Sequence, residues 1–163
     1  MHDSARRFVQ SVAPLIPLES SVCEIGSRNV NGAIRYLFAG RRYVGIDIRE
    51  GAGVDIVADG ATWDGDDETY DCVVCCEVLE HATDPQALCE NIRWLLRGGG
   101  AAIITAATPQ RVPHSGIDGG PLKDGEQYQG VTEDDLREWF GVGVTLSIYP
   151  SPVEDIYAVV GVP

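Results

Sequence analysis

Short apolar runs alternate with amphipathic segments along most of the chain. Near-continuous apolar runs bounded by Gly, Pro and Asp are typical of buried strands, and apolar residues three and four positions apart are typical of helices. The predicted strands are residues 20–26, 42–48, 54–58, 70–76, 101–107, 142–149 and 156–161. The pattern therefore predicts a doubly wound α/β sheet of seven strands, mostly parallel, with an antiparallel hairpin at its C-terminal end.

Helix boundaries are marked by capping residues, prolines and glycines. The predicted helices are an amphipathic one over residues 3–13 ended by Pro14 and Pro17, one capped by Asn29 or Asn31 and ended by Gly40, one begun by Asp84 and Pro85 and ended by residues 98–100, and one capped by Thr132. Together with the strands, these segments fill one domain over residues 1–163, in which residues 1–17 form an N-terminal helix and linker.

Residues 109–130, called the lid loop below, form a long polar segment rich in turn residues. A loop of this length inside a compact domain is usually functional. We therefore expect the lid loop to cover a binding site and to supply part of its wall.

The chain is acidic, with a formal net charge of −13 and a pI near 4.4. Such a field repels polyanions, so nucleic acid and anionic membranes are not expected partners. The best basic clusters are small, namely Arg41 with Arg42 and Arg93 with Arg97. No apolar run reaches the ~18 residues of a membrane span, and the N-terminus lacks the apolar region of a signal peptide. We expect a cytoplasmic monomer or homodimer.

The chain has five cysteines, most of them inside apolar runs. Cys72 and Cys75 have the C-x-x-C spacing, but on one strand two residues at this spacing point to opposite faces of the sheet. We therefore expect buried thiols in a reducing compartment, and neither a zinc site nor a redox pair.

Polar residues stand at the carboxyl ends of four predicted strands. They are Glu24 and Gly26, Asp47, Asp59, and Cys76 with Glu77. The carboxyl ends of parallel strands meet at one edge of a sheet, where ligands of doubly wound folds bind. Asp47 follows Gly26 at about the twenty-residue spacing of a carboxylate that takes the ribose hydroxyls of a nucleoside. Each acid alone could be a helix cap or turn former, but together they favour a ligand site.

The turn after the first strand lacks two of the three glycines of a dinucleotide-binding loop. Gly26 is present, but Arg28 and Val30 follow where further glycines would be needed. A pyrophosphate requires those glycines for close approach to the backbone at the helix N-terminus. An NAD-dependent enzyme is therefore a weak alternative.

These motifs together resemble the class I S-adenosylmethionine-dependent methyltransferases, of the small bacterial and phage type similar to methyltransferase type 11. The matching segments are the acid-x-Gly motif at residues 22–27, the acidic strand end at 43–47, the adenine-contacting acid at 57–60, the strand-four signature at 70–81, and the turn at 95–100, where Gly98 replaces the usual Pro. The resemblance covers residues 20–108 well, and residues 70–81 are its most specific part.

The resemblance implies a Rossmann-like fold with S-adenosylmethionine as the cofactor, which has no phosphate and so tolerates the lost glycines. It assigns Glu24 and Gly26 to the methionine part, Asp47 to the ribose and Asp59 to the adenine. The full expected cofactor set is Glu24, Gly26, Ser27, Arg28, Asp47, Ile48, Asp59, Cys76 and Glu77. Arg28 either narrows the pocket or pairs with the carboxylate of the cofactor.

Methyl transfer needs alignment more than covalent help, because the sulfonium is already activated. A general base helps when the acceptor is a hydroxyl, and His81 and His114 are placed for that role. The alternatives are that His81 packs or caps under the cofactor and that His114 is a solvated loop residue. We expect a small or medium-sized acceptor, methylated on oxygen more readily than on nitrogen.

A metal-assisted reaction is a further alternative. Glu77, Glu80 and His81 would share one face if their turn is helical, and such a set can hold a divalent cation that orients a diol. Some O-methyltransferases with a similar motif, acting on quinone precursors or RNA 3′ ends, use these residues so, and His114 would be a fourth ligand. The net charge argues against an RNA acceptor.

The competing alternative from a different class is a protein that keeps the sheet, has lost catalysis and acts as a binding or scaffolding module. The altered glycine loop and the small size of the chain motivate it. It predicts a pocket blocked by Arg28 or by the lid loop.

Overall fold

A single seven-stranded sheet organises the computed structural model, which describes residues 3–65 and 69–163. The strands are β1 (Ser21–Ile25), β2 (Arg42–Asp47), β3 (Ile56–Val57), β4 (Tyr70–Cys76), β5 (Leu96–Ala107), β6 (Thr145–Tyr149) and β7 (Asp155–Gly161). The helices are α1 (Asp3–Val12), α2 (Pro85–Leu95) and α3 (Glu133–Phe140), with 3-10 turns at Ala13–Leu15, Arg35–Phe38 and Leu79–His81.

The strand order is β3-β2-β1-β4-β5-β7-β6. The strands from β3 to β5 pair in parallel, whereas β7 runs antiparallel to both β5 and β6. The predicted fold class, a mostly parallel Rossmann-like sheet closed by an antiparallel hairpin, is therefore confirmed. In the described part of the chain, no helix is long and apolar enough to cross a membrane.

Two apolar cores cover the two faces of the sheet. On one face Cys75 and its neighbours pack with the buried sides of α2 and α3, and on the other Cys72 packs with α1 and with Phe38. The prediction that Cys72 and Cys75 point to opposite faces is confirmed, and all five cysteines are buried free thiols. Burial raises the pKa of Cys72 to about 12, as expected of a thiol with a structural role.

The capping residues predicted for α2 and α3 are confirmed. The Asp84 carboxylate accepts the N–H of Ala87, and Pro85 takes the first helical position. Thr132 and Asp135 form a reciprocal capping box at the start of α3.

The predicted helix after β1 is wrong. The segment is irregular up to a single 3-10 turn at Arg35–Phe38, which has no side-chain cap. The Asn29 side chain accepts the N–H of Gly32 instead, which stabilises a local turn that competes with a helix. Ile34 and Phe38 are buried as expected, and Gly40 ends the turn with a φ of +86°.

The predicted boundary between α2 and β5 is also wrong. Residues 98–100 do not lie between helix and strand, because α2 ends at Leu95 and β5 starts at Leu96. The pairing with β4 jumps from Tyr70 opposite Leu96 to Cys72 opposite Ala101, so the glycines form a bulge within the strand. The strands β3 and β6 are likewise shorter than predicted, because only Ile56–Val57 and Thr145–Tyr149 form ladders.

Candidate functional site

A cavity of about 1240 Å³ opens at the carboxyl ends of β1, β2 and β4. Ligand pockets are usually roughly 300–1,000 Å³, so this cavity is larger than the usual single-ligand pocket. It is lined by the whole expected cofactor set and by both expected catalytic histidines, namely Glu24, Gly26, Ser27, Arg28, Asp47, Ile48, Asp59, Cys76, Glu77, His81 and His114. Glu80, a member of the alternative metal set, is fully buried and does not line it. The topology therefore brings together what the sequence separates by up to ninety positions, from Glu24 to His114.

The turn after β1 is held tightly against β2. The backbone N–H groups of Gly26 and Ser27 both donate to the carbonyl of Ile46, at 2.9 and 3.0 Å. Gly26 has a φ of +79°, and a Cβ on it would lie 2.2 Å from a methyl carbon of Val78. Only glycine meets both requirements, which explains why this one glycine of the loop is present.

Two aspartates present preorganised carboxylates to the cavity. Asp47 accepts the backbone N–H groups of Arg28 and Arg49, at 3.2 and 2.9 Å, one on each oxygen. Asp59 accepts the N–H of Ala61 at 2.9 Å. A carboxylate has about four lone-pair sites, so both residues retain capacity for ligand hydroxyls or amines. Ile48 adds an exposed apolar surface to the same wall.

Glu24 is buried at the back of the cavity and accepts the hydroxyl of Tyr43 at 2.7 Å. Burial raises the pKa of Glu24 to about 7, although Tyr43 and the nearby Arg35 oppose the shift. Its charge therefore changes near neutral pH and responds to a cation placed beside it.

Arg28 reaches across the cavity to the lid loop. Its Nη1 donates to the carbonyl of Ile117 at 3.0 Å. The side chain lies against Gly51, where a Cβ would come within 3.2 Å of it. It therefore bridges two walls of the cavity and leaves the space between them open.

Glu77 directly follows β4, with a strained backbone conformation and a carboxylate that has hydrogen-bond partners on both oxygens. Its φ of +57° is left-handed, and its N–H donates to the carbonyl of Thr105 at 2.8 Å. The carboxylate accepts Thr105 Oγ1 at 3.1 Å and Arg111 Nη1 at 2.6 Å. Arg111 also pairs with Asp155 at the start of β7, so its single guanidinium joins two strand ends and the lid loop.

The neighbouring turn contains a polar cluster around His81. The rings of His81, His114 and Tyr128 lie edge to face, with centroids 5.0 to 5.4 Å apart. Glu80 Oε2, His81 Nδ1 and Tyr128 Oη are buried without a hydrogen-bond partner among the described residues. One ligand atom each from Glu80, His81 and His114 lies within 4.8 Å of the other two. The cluster can therefore accept a proton donor, a water or a cation.

Burial sets the protonation of this cluster. It raises the pKa of Glu80, with the Glu77 charge adding to the effect, so the acid form is favoured. It lowers the pKa of His81 to about 4, which keeps the imidazole neutral at pH 7.

The expected grouping of Glu77 with Glu80 and His81 is corrected. The helical turn covers only Leu79–His81, and Glu77 precedes it in a left-handed conformation with its carboxylate on Arg111. His114, expected only as a fourth member, takes the third place beside Glu80 and His81.

The sequence reasoning missed three residues of the site: Arg111, Tyr128 and Asp155. Arg111 is the single arginine and Tyr128 the single tyrosine of the lid loop. Both are large side chains in a segment that otherwise consists mainly of turn-forming residues, and this contrast could have marked them as site residues. Asp155 gave no such signal, because its role depends on β7 starting opposite the end of β5, where Asp155 pairs with Ala107.

The cavity contradicts the structural expectation of the scaffolding alternative. That alternative required a pocket blocked by Arg28 or by the lid loop, whereas both line an open cavity. A doubly wound sheet with acids at the ends of adjacent strands defines an α/β domain that binds a small ligand at its topological switch point.

A family model described as a methyltransferase domain matches residues 1–141, and the chain belongs to this family of methyltransferase enzymes. Comparison with curated protein sequences finds no match.

Solved structures with the same fold include three methyltransferases. The 1,6-didemethyltoxoflavin N1-methyltransferase of Burkholderia thailandensis is 18% identical with a TM-score of 0.66, over 98% of this chain and 77% of that one. The N-methyltransferase NodS of Bradyrhizobium japonicum is 15% identical with a TM-score of 0.66, over 98% and 88%. The magnesium protoporphyrin IX methyltransferase of Synechocystis is 18% identical with a TM-score of 0.68, over 98% and 80%. At these identities the likeness concerns the fold.

Proposed function

We propose that this enzyme binds S-adenosylmethionine at the ends of β1 and β2 and transfers its methyl group to a small or medium-sized acceptor, preferentially on oxygen. The observation that carries the proposal is the convergence of Glu24, Asp47 and Asp59 on one cavity that is larger than the usual single-ligand pocket. The related N-methyltransferase NodS was crystallised with S-adenosylhomocysteine, and the Synechocystis enzyme with S-adenosylmethionine, which supports the cofactor.

The cofactor half of the cavity fits a cationic nucleoside. The Asp47 carboxylate, oriented by two backbone N–H groups, takes the ribose hydroxyls, and Asp59 accepts the exocyclic amine of the adenine. Gly26 and Ser27 shape the turn around the methionine part, whose ammonium group favours the ionised form of Glu24. Ile48 offers an apolar surface to the adenine ring.

The acceptor half lies between Glu77, the histidines and the lid loop. Efficient bases have a pKa near the working pH, and the pKa of about 4 makes His81 a weak base. His114, which lies against His81 on the lid loop, is therefore the better candidate to take a hydroxyl proton. The net charge of −13 argues against a nucleic-acid acceptor.

The preference for oxygen is tested with methyl-labelled S-adenosylmethionine and a matched acceptor panel. Phenols and catechols are compared with anilines and with aliphatic amines of the same size. Faster labelling of hydroxyl acceptors, lost in His114→Ala, supports O-methylation. Labelling of amines alone, at a rate that His114→Ala leaves unchanged, contradicts it.

The second candidate is a metal-assisted O-methyltransferase, which the cluster of Glu80, His81 and His114 favours. Two of its polar atoms, Glu80 Oε2 and His81 Nδ1, are buried without partners in the described part of the chain, as expected of groups arranged for a ligand. One carboxylate and two imidazoles suit a transition metal better than Mg²⁺. Such an ion, when bound, would polarise the acceptor hydroxyl, and His81 and His114 would orient it.

Calorimetric titration with Mn²⁺ and with Zn²⁺ separates the two candidates. The metal site is supported if the wild type binds one ion per chain and both Glu80→Gln and His114→Ala abolish this binding. Glu77→Gln should still bind the ion. Absence of binding, together with methyl transfer that is insensitive to chelators, leaves the metal-free reaction.

A further inference from the structure

The lid loop contacts the turn after β1, which forms part of the cofactor half of the cavity, at two places. Arg28 Nη1 donates to the carbonyl of Ile117 at 3.0 Å. Gly119 lies so close to Asn31 that a Cβ on it would come within 2.1 Å of Asn31 Nδ2. Arg28 and Asn31 both belong to the turn that follows β1, so one short segment holds the middle of the lid loop.

The central part of the lid loop has its own internal structure. The N–H of Ser115 donates to the carbonyl of Gly120, and the N–H of Gly119 donates back to the carbonyl of Ser115, at 2.8 and 2.9 Å. Ser115 Oγ donates to Glu126 at 2.9 Å. A segment cross-linked in this way moves as a unit, so one attachment at Ile117 positions the whole segment, including the adjacent His114.

The backbone of Arg28 takes part in the cofactor half at the same time. Its N–H donates to Asp47 Oδ2 at 3.2 Å, on the carboxylate expected to hold the ribose. The same residue therefore orients a ligand-binding acid with its main chain and attaches the lid loop with its side chain. A ligand that holds Asp47 in place therefore also holds the backbone of Arg28. The hydrogen bond from the Arg28 side chain to Ile117 is called the tether below.

We propose that Arg28 is a positioning residue that couples cofactor binding to closure of the lid loop. This inference rests on the proposed function, because it assigns the ligand at Asp47 as the cofactor. Coupling between two sites is reciprocal. A tether that favours the closed loop therefore raises cofactor affinity, and bound cofactor makes the closed loop more stable.

The tether is tested first without any ligand. Amide hydrogen exchange across the lid loop, residues 109–130, reports how often the loop opens. In Arg28→Ala we expect these amides to exchange about 10- to 150-fold faster, the range given by one hydrogen bond from a charged donor. Arg28→Lys should lie between this variant and the wild type. Arg7→Ala, which removes an exposed arginine of α1 that does not line the cavity, should match the wild type.

The coupling is tested with S-adenosylhomocysteine. Its dissociation constant should rise in Arg28→Ala by up to the same factor, because affinity falls in proportion to the closed fraction of the loop, while the midpoint of thermal unfolding without ligand changes little. Ile117→Gly keeps Arg28 but loosens the backbone that accepts its hydrogen bond. It should weaken binding by itself and add little in the Arg28→Ala background, whereas a direct contact between Arg28 and the cofactor predicts additive effects.

Each result is decisive. Unchanged exchange in ligand-free Arg28→Ala refutes the tether. Faster exchange with unchanged affinity, or additive losses in the double variant, refutes the coupling. If the wild type does not bind S-adenosylhomocysteine, the proposed function and the coupling both fail. The exchange rates measured without ligand still test whether the tether exists.

Discussion

Arg111 Nη1 donates to Glu77 Oε2 at 2.6 Å, between two side chains that are only 10% and 7% exposed. The same guanidinium pairs with Asp155, whose side chain is fully buried. Glu77 is also the one non-glycine residue in the described ranges with a positive φ. Buried charge and backbone strain at the same position are typical of functional sites, where the surrounding structure holds an otherwise costly geometry.

Loss of Arg111 should destabilise the fold strongly. Arg111→Ala removes the guanidinium that pairs with the buried carboxylates of Glu77 and Asp155, and removing one partner of a buried pair costs about 3–5 kcal/mol. We expect a loss of that order in the free energy of unfolding from urea titration at pH 7. The matched control is Arg137→Ala, which breaks the exposed pair with Glu133 on α3 and should cost less than about 1 kcal/mol. Equal losses in the two variants would contradict this account.

Glu24 should make stability depend on pH near neutrality. Its pKa rises from the usual 4.5 to about 7 in the fold, so the folded state holds the proton more tightly than the unfolded chain. The stability that it contributes is fully present below about pH 4.5 and is lost as the pH rises through 7.

Glu24→Gln isolates this effect, because glutamine still accepts the Tyr43 hydroxyl but does not ionise. Between pH 5 and pH 8, the wild type should lose about 2–3 kcal/mol of unfolding free energy relative to the variant. Urea titrations of both proteins at the two pH values measure the difference. Parallel pH profiles would show that Glu24 is ionised in the fold at pH 5.

Gly26 and Gly40 form a natural pair for measuring the close contact at the first turn. Both have left-handed φ values, +79° and +86°, so alanine at either position carries similar backbone strain of about 1 kcal/mol. A Cβ at Gly40 meets no atom within 4 Å, whereas one at Gly26 meets Val78. Thermal unfolding should show Gly26→Ala to be less stable than Gly40→Ala by roughly 1–3 kcal/mol. Similar midpoints would mean that Val78 moves away freely.

The fold and the position of three acids at the cavity were predictable because both depend on local patterns. Each buried strand is a short apolar run. Glu24 and Asp47 lie in the last two residues of their strands, and Asp59 lies two residues after its strand. Parallel topology then places strand ends at one edge without further information. The capping residues Asp84 and Thr132 accept hydrogen bonds from the N–H groups of residues three positions later, so helix capping is also a local feature.

Features that depend on distant pairing were not predictable. The glycines of β5 form a bulge only because β4 sets the register, and Asn29 stabilises a turn where a helix cap was expected. The side-chain partners of Glu77 come from β5 (Thr105) and from the lid loop (Arg111), so its ion pair has no counterpart in the local sequence. The sequence predicted that Arg28 narrows the pocket or pairs with the cofactor carboxylate, but it gave no sign of the hydrogen bond to Ile117, which lies 89 positions away.

The most direct test of the central claim is calorimetric titration of the protein with S-adenosylhomocysteine. We predict one site per chain, with affinity reduced about ten- to a hundredfold in Asp47→Ala, because two hydroxyls lose a charged acceptor. Asp134→Ala, which removes an exposed carboxylate at the start of α3, should bind as the wild type does. No binding by the wild type, or equal binding by Asp47→Ala, would contradict the account.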